Sequence, residues 1–222
     1  MNILRSTSIQ SSNLRYLYIA AGSAAFFGFI FGFEGGIISN ALLYIKHNND
    51  MQPIDQTFLY ILLFISPGVA TVASLLAAPI SDQFGRKKVI LSAIICDAIG
   101  ALLCSLSINK KMLIIGRLII GFALGFGSSV VPVYISEISS PDCRGFLLTS
   151  FQMFITFGFA SANIVAGGLW YIEPVFIGWR LMLSFTVGPA LIQCVIFSFM
   201  PESPRWLCAN DQHDEGIRVI YS

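Results

Sequence analysis

The chain has 222 residues, 55% of them hydrophobic and only 11% charged, with a formal net charge of +1. A soluble domain carries roughly a quarter charged residues, so this chain cannot cover a water-facing surface and reads as an all-α integral membrane protein. It has no long basic run, so it carries no electrostatic footprint for nucleic acid.

A spanning helix needs about 20 mainly apolar residues, and six segments meet this: Tyr16–Ile38, Phe58–Ile80, Val89–Ile108, Met112–Ile135, Leu147–Trp170 and Leu181–Met200. The first is too long for the apolar core of a secretory signal and lacks a small-residue cleavage site. The breaks between spans are short and carry turn or charged residues: HNNDMQPIDQ, SDQFGRKK, NKK, SEISSPDCRG and EPVFIGWR. The expected organisation is a cytosolic tail over 1–15, a six-helix bundle over 16–206 and the start of a cytosolic linker over 207–222.

Basic residues set the orientation. With the N-terminus in the cytosol, the inner face holds Arg5, Arg15, Arg86, Lys87, Lys88, Arg144, Arg205 and Arg218; the outer face holds Lys46, Lys110, Lys111 and Arg180. Lys110 and Lys111 run against the rule and fit it by snorkelling to the interface. The five cysteines (Cys96, Cys104, Cys143, Cys194 and Cys208) have no framework spacing and read as free thiols. His47 and His213 lie far apart in loops. No metal-ligand spacing, phosphate loop or nucleophile–base pair stands out, so neither a metal, a cofactor nor an enzyme is expected. GFALGFG, Gly121 to Gly127, lies inside an apolar helix rather than after a strand; its Gly121 and Gly125 have the spacing that lets two helix backbones approach.

Three charges stand inside the spans: Glu34, Asp97 and Arg117. Each is costly in hydrocarbon and needs a partner or a wet cavity. Span one runs outward with Glu34 near its outer end, and span four runs inward with Arg117 just after its outer start. The two share a depth, which predicts an ion pair. One reading makes the pair functional; the other makes it a static contact that packs the helices. Asp97 has no role assigned by its position. A second set of charges collects on the cytosolic side: Asp82, Arg86 and Lys87 after span two, Glu137 and Arg144 after span four, Glu202 and Arg205 after span six. They fit either an interhelical network that holds this face shut or a solvated rim, in which each exposed pair contributes about 0–1 kcal/mol.

SDQFGRKK resembles the D-R-x-G-R-R/K loop of the major facilitator superfamily. GRLIIGFALGFGSSVVPVYISEISSPDCRG, with Gly116-Arg117, Pro132-x-Tyr134-Ile135-x-Glu137 and Arg144-Gly145, is similar to the sugar-porter signature around span four, and GWR at Gly178 and PESPRWL at Pro201 to its marks around span six. The resemblance runs from about Tyr16 to Leu207. It implies the N-terminal half of a transporter with twelve spans in two six-helix halves and substrate bound between them, with a second half as a partner.

By that resemblance, Gln152 matches the fifth-span glutamine that bonds sugar hydroxyls, eight residues after Arg144. A glutamine bonding a neighbouring helix is the rival reading. Glu34 stands where proton-coupled sugar porters carry aspartate, and Arg117 matches the fourth-span arginine expected to pair with it. Gln83 replaces the usual basic residue of the second-span loop, and Ala78 a glycine. Gln193, after Pro189-Ala190, and Asp97 resemble the proton/myo-inositol branch, whereas Phe151 stands where inositol carriers tend to have asparagine. The implied function is transport of a hexose or myo-inositol across a bilayer, proton-coupled and by alternating access, with the plasma membrane as the expected location. A facilitative uniporter, or a non-transporting membrane protein that binds or regulates a full-length transporter, are the alternatives.

Overall fold

The structure, a computed structural model, describes residues 2–46, 55–169 and 178–210, with side chains from Tyr18 onward. His47, Trp170, His213 and Arg218, the side chains of Arg5 and Arg15, and the linker beyond Asn210 lie outside the described residues. The elements are α1 Asn2–Ile45, α2 Gln56–Phe84, α3 Arg86–Ser105, α4 Lys110–Ile138, α5 Arg144–Leu169, α6 Trp179–Ser184, α7 Val187–Ser198 and α8 Pro204–Ala209, with no strand among the described residues. Six candidate membrane spans result, with α6 and α7 together forming the sixth.

Two spans differ from the expectation for identifiable reasons. The first was expected to end at Ile38 but runs on to Ile45. Ser39 and Asn40 look like a stop in sequence, yet Asn40 Nδ2 donates to the Gly36 carbonyl one turn back and to Asn163 Oδ1 on α5, both at 3.0 Å. Bonded in this way, the amide stays within the helix, and the following ALLYI adds another turn. The sixth span breaks at Phe185–Thr186. Pro189 lies four residues after Phe185; it has no N–H for that carbonyl, and its ring crowds it. α1 also begins at Asn2, so the backbone is helical through most of the stretch expected as a tail.

The helices pack α1 along α5, α2 and α3 on either side of α4, and α3 against α6 and α7. Small residues set these distances. On α1, Gly28, Gly32 and Gly36 recur every fourth residue and face α5; a Cβ on Gly32 would collide with the Ile155 carbonyl, and one on Gly158 with the Phe29 carbonyl. On α4, a Cβ at Gly121 would stand 2.8 Å from the Ser66 carbonyl and at Gly125 2.5 Å from the Ala70 carbonyl of α2, while at Gly116 it would stand 3.0 Å from the Gly100 carbonyl of α3. Dispersion and interhelical hydrogen bonds, which drive association in lipid, need this closeness.

Two apolar clusters fill the bundle. The one toward the Gly85 end holds Phe27, Ile90, Tyr134 and Phe197, and the one toward the Lys110 end holds Phe33, Ile120, Trp179 and Met182. α2 and α5 are buried over only 22% of their most apolar windows, against 56% for α1, α3 and α4. Leu75, Phe146, Met153 and Ile164 are among the side chains they leave bare.

Candidate functional site

The structure brings Glu34 and Arg117 together. Arg117 Nη1 donates to Glu34 Oε2 at 3.0 Å, and each side chain is only 2% exposed. Close packing of α4 between α2 and α3 places the arginine: Gly116 of α4 packs against Gly100 and Cys104 of α3, and Ser66 Oγ of α2 donates to the Arg117 carbonyl at 2.9 Å. Asp97 of α3 is 0% exposed and stands one turn from Gly100, where α3 passes against Gly116 of α4. Bringing ions out of water costs several kcal/mol each even after relaxation, and that cost is offset only with good geometry. The pair has one good hydrogen bond. Glu34 Oε1, Arg117 Nε and Nη2, and both oxygens of Asp97 have no protein partner among the described residues. Such incomplete satisfaction is poor packing material and marks a site that can rearrange.

Gln152 does not join this group. It is exposed on α5, on a face that also carries Thr149, Thr156 and Asn163, all exposed. Gln193 has no open face: it is wholly buried on α7, and its Nε2 donates to the Ser23 carbonyl of α1 at 3.3 Å. It ties two helices together.

At the Gly85 end, the expected cytosolic end, part of the charge network closes. Arg86 Nη2 lies 2.8 Å from Asp82 Oδ1 and 3.1 Å from Glu137 Oε1, and Nη1 donates to the Ser81 carbonyl at 3.2 Å. Glu137 Oε2 in turn accepts from Ser203 Oγ. Among the described residues Glu202 forms no ion pair. Its Oε1 accepts from the backbone N–H groups of Lys87 and Ser203, each at 2.9 Å. Arg144 and Arg205, expected in the same network, form no ion pair among the described residues, and Arg144 Nε is buried without a partner. Arg144 opens α5, which is tied to α1 rather than to the α2–α3 turn. Arg205 stands on the first turn of α8, while Ser203 and Trp206 make that helix's contacts.

Lys87, expected in this set, donates through Nζ to the Ser198 carbonyl at 2.8 Å. Sequence reasoning missed two further members: Trp206 Nε1 donates to the Asp82 carbonyl and the Tyr134 hydroxyl to the Pro201 carbonyl, each at 2.8 Å. Ser203 was legible as a helix cap: it precedes Pro204 at the start of α8, and its hydroxyl accepts from the Trp206 N–H. Gly85 holds the turn between α2 and α3 at φ 96°, and a Cβ there would meet Glu202 Oε2 at 2.5 Å. Only glycine satisfies both the left-handed backbone and the approach of that carboxylate.

Six apolar helices around a sealed carboxylate–guanidinium pair, with a charged cluster at one end and two bare helix faces, define a multi-pass membrane protein. The profile of the family described as sugar (and other) transporter matches residues 20–222, and the chain belongs to that family. Among similar curated proteins, it is 43% identical over 205 residues to the proton myo-inositol cotransporter hmit-1.1 of Caenorhabditis elegans, covering 92% of this chain and 34% of that protein. It is 36% identical over 211 residues to the human proton myo-inositol cotransporter, covering 95% and 32%, and 37% identical over 206 residues to the glucose transporter GlcP of Staphylococcus epidermidis, covering 93% and 44%. The chain thus spans about a third of the length of the two inositol cotransporters. Among solved structures, the proton:xylose symporter XylE bound to 6-bromo-6-deoxy-D-glucose superimposes with a TM-score of 0.86 at 21% identity, covering 94% of this chain and 50% of that one. The partially occluded inward-open XylE of E. coli gives 0.83 at 20% identity, covering 92% and 55%. These two likenesses define the fold.

Proposed function

We propose that this chain forms the first six-helix half of a proton-coupled symporter for a sugar or polyol, with myo-inositol the first substrate to test, working in the plasma membrane. The carrying observation is the buried ion pair between Glu34 and Arg117. A uniporter has no use for a carboxylate that must be sealed from lipid at such cost, whereas a proton carrier needs one whose charge can be switched. Movement of α1 against α4 separates the carboxylate from the guanidinium and links protonation to the side on which the cavity opens. Substrate names borne by similar proteins support the polyol reading.

Gln152 serves as a substrate ligand from the exposed face of α5, where a second half would complete the binding cleft. The bare apolar sides of α2 and α5 suit such a half as well as they suit lipid. The latch of Asp82, Arg86 and Glu137, braced by Glu202, holds the cytosolic end shut. Arg144 and Arg205, which form no ion pair among the described residues, take their partners as that end opens. The same bare faces favour a second reading, in which the chain binds a full-length transporter without carrying substrate itself.

The test is radiolabelled myo-inositol and hexose uptake into proteoliposomes with an imposed pH gradient, using a complete transporter that carries this chain. The expected result is uphill accumulation by the parent and none by Glu34→Gln, with downhill exchange far less affected, because the amide keeps the shape but cannot carry the proton. Undiminished accumulation by the variant would place coupling elsewhere.

A further inference from the structure

Glu34 and Arg117 do not exhaust the charges in their chamber. Asp97 is wholly buried one helix away, and neither of its oxygens has a protein partner among the described residues. α3 passes close over α4 where a Cβ on Gly100 would stand 3.0 Å from the Gly116 carbonyl; Asp97 is one turn from Gly100 and Arg117 follows Gly116. Arg117 still has Nε and Nη2 unengaged, and Glu34 still has Oε1. Two carboxylates and one guanidinium therefore lie buried where α1, α3 and α4 meet. With both acids ionised the group carries a net negative charge that no neighbour balances. With both protonated it leaves a bare guanidinium. Holding one proton, it is neutral. The other helices bring no further charge to this depth among the described residues. On α2 the acid is Asp82, at the far end, and on α6 the cation is Arg180, whose guanidinium donates to the Ser107 carbonyl near the outer ends of α3 and α6. Cys96 and Cys104 on α3 are free thiols, and Cys104 Sγ faces the Leu113 carbonyl of α4 at 3.7 Å.

We infer that Asp97 is the second proton-carrying acid of this site, holding a proton as a neutral carboxylic acid while Arg117 is bound to Glu34, and receiving Arg117 when Glu34 becomes protonated. The inference rests on the proton-coupled reading above and deepens it. The steps balance. A proton from the outer side forms an O–H bond on Glu34, the guanidinium passes from Glu34 to Asp97, and the O–H bond of Asp97 breaks and releases its proton toward the inner side. One proton enters, one leaves, and the site stays neutral. Transfer of the Glu34 proton to Asp97, with return of the guanidinium to Glu34, resets it. Asp97 thereby spares the bundle an unpaired buried arginine at the moment Glu34 is neutral, which is the state a single carboxylate would leave most unfavourable.

The experiment combines infrared difference spectroscopy of the carboxylic-acid C=O band with proton-driven uptake, on a complete transporter carrying this chain and on Asp97→Asn and Glu34→Gln. The parent should show a buried acid band at neutral pH that vanishes in Asp97→Asn. It should also vanish in Glu34→Gln, because Asp97 then ionises to take Arg117. Asp97→Asn should lose at least tenfold in accumulation and far less in exchange. An acid band that persists in Glu34→Gln shows an inert neutral Asp97 and overturns the inference, as does a parent with no band. Full accumulation by Asp97→Asn alongside none by Glu34→Gln overturns it while leaving Glu34 as the coupling residue. Full accumulation by Glu34→Gln removes the proton-coupled reading itself. If Asp97→Asn fails to fold, the band in Glu34→Gln still decides.

Discussion

Gly32 of α1 lies so tightly against the Ile155 carbonyl of α5 that a Cβ on the glycine would overlap it. Gly35, three residues on and next to Glu34, has nothing within 4 Å of the same position. Gly32→Val should therefore force the two longest-paired helices apart. Overpacking a filled core costs about 1–3 kcal/mol, and here the obstacle is backbone, which puts the cost at the top of that range. Gly35→Ala should leave the melting temperature in detergent unchanged or slightly raised. Equal melting temperatures for the two variants would show that α1 and α5 are not in this contact.

The pair between Glu34 and Arg117 should behave as a buried one. Removing the arginine alone, Arg117→Ala, leaves a buried carboxylate uncompensated and should cost about 3–5 kcal/mol; Glu34→Ala should cost less, because Asp97 can take up the guanidinium. Removing both together should cost less than the sum of the two single losses. A double-mutant cycle on thermal or denaturant unfolding of the detergent-solubilised protein checks this, and strict additivity would mean that the two groups do not interact.

At the latch, Arg86→Gln should open the cytosolic end. Arg86 and Glu137 are 12% and 8% exposed, so their charge-assisted bond is little screened. A bond to a charged group contributes about 1.5–3 kcal/mol, a shift of roughly 10–100-fold in the balance between open and shut states. Spin labels across the α2–α3 turn and α8 should report the longer distance in the variant. Arg144→Ala, which removes no ion pair among the described residues, should not lengthen it but should disfavour the open state and slow opening.

Orientation can be read from the free thiols. Cys208 is exposed and Cys143 partly so, both at the end assigned to the cytosol by the basic residues. An impermeant maleimide should label Cys208 only after cells are permeabilised. Labelling in sealed cells would invert the topology.

The sequence by itself determined the class, the number of spans and the residues in play. Hydrophobic runs of membrane length separated by charge can do little else than cross a bilayer as helices, because an unsatisfied backbone is too costly in lipid. The shared depth of Glu34 and Arg117 follows from helix rise and topology, which made their meeting legible before any coordinates. What the tertiary structure decided is lateral. Helical rise gives depth but not which faces turn toward one another, so Gln193 and Gln152 looked alike in sequence, and only packing put one in the interior and the other on an open face. For the same reason Asp97 could be seen as a charge in a span, though not as a neighbour of the ion pair, and Arg144 joined the latch on paper while the latch closes through Ser203 and Trp206. The glycines at 28, 32 and 36 carried the α1–α5 contact in plain sight, yet a small-residue stripe names no partner. Which helix fills it depends on the shape of every other pair, and that is a property of the assembled bundle.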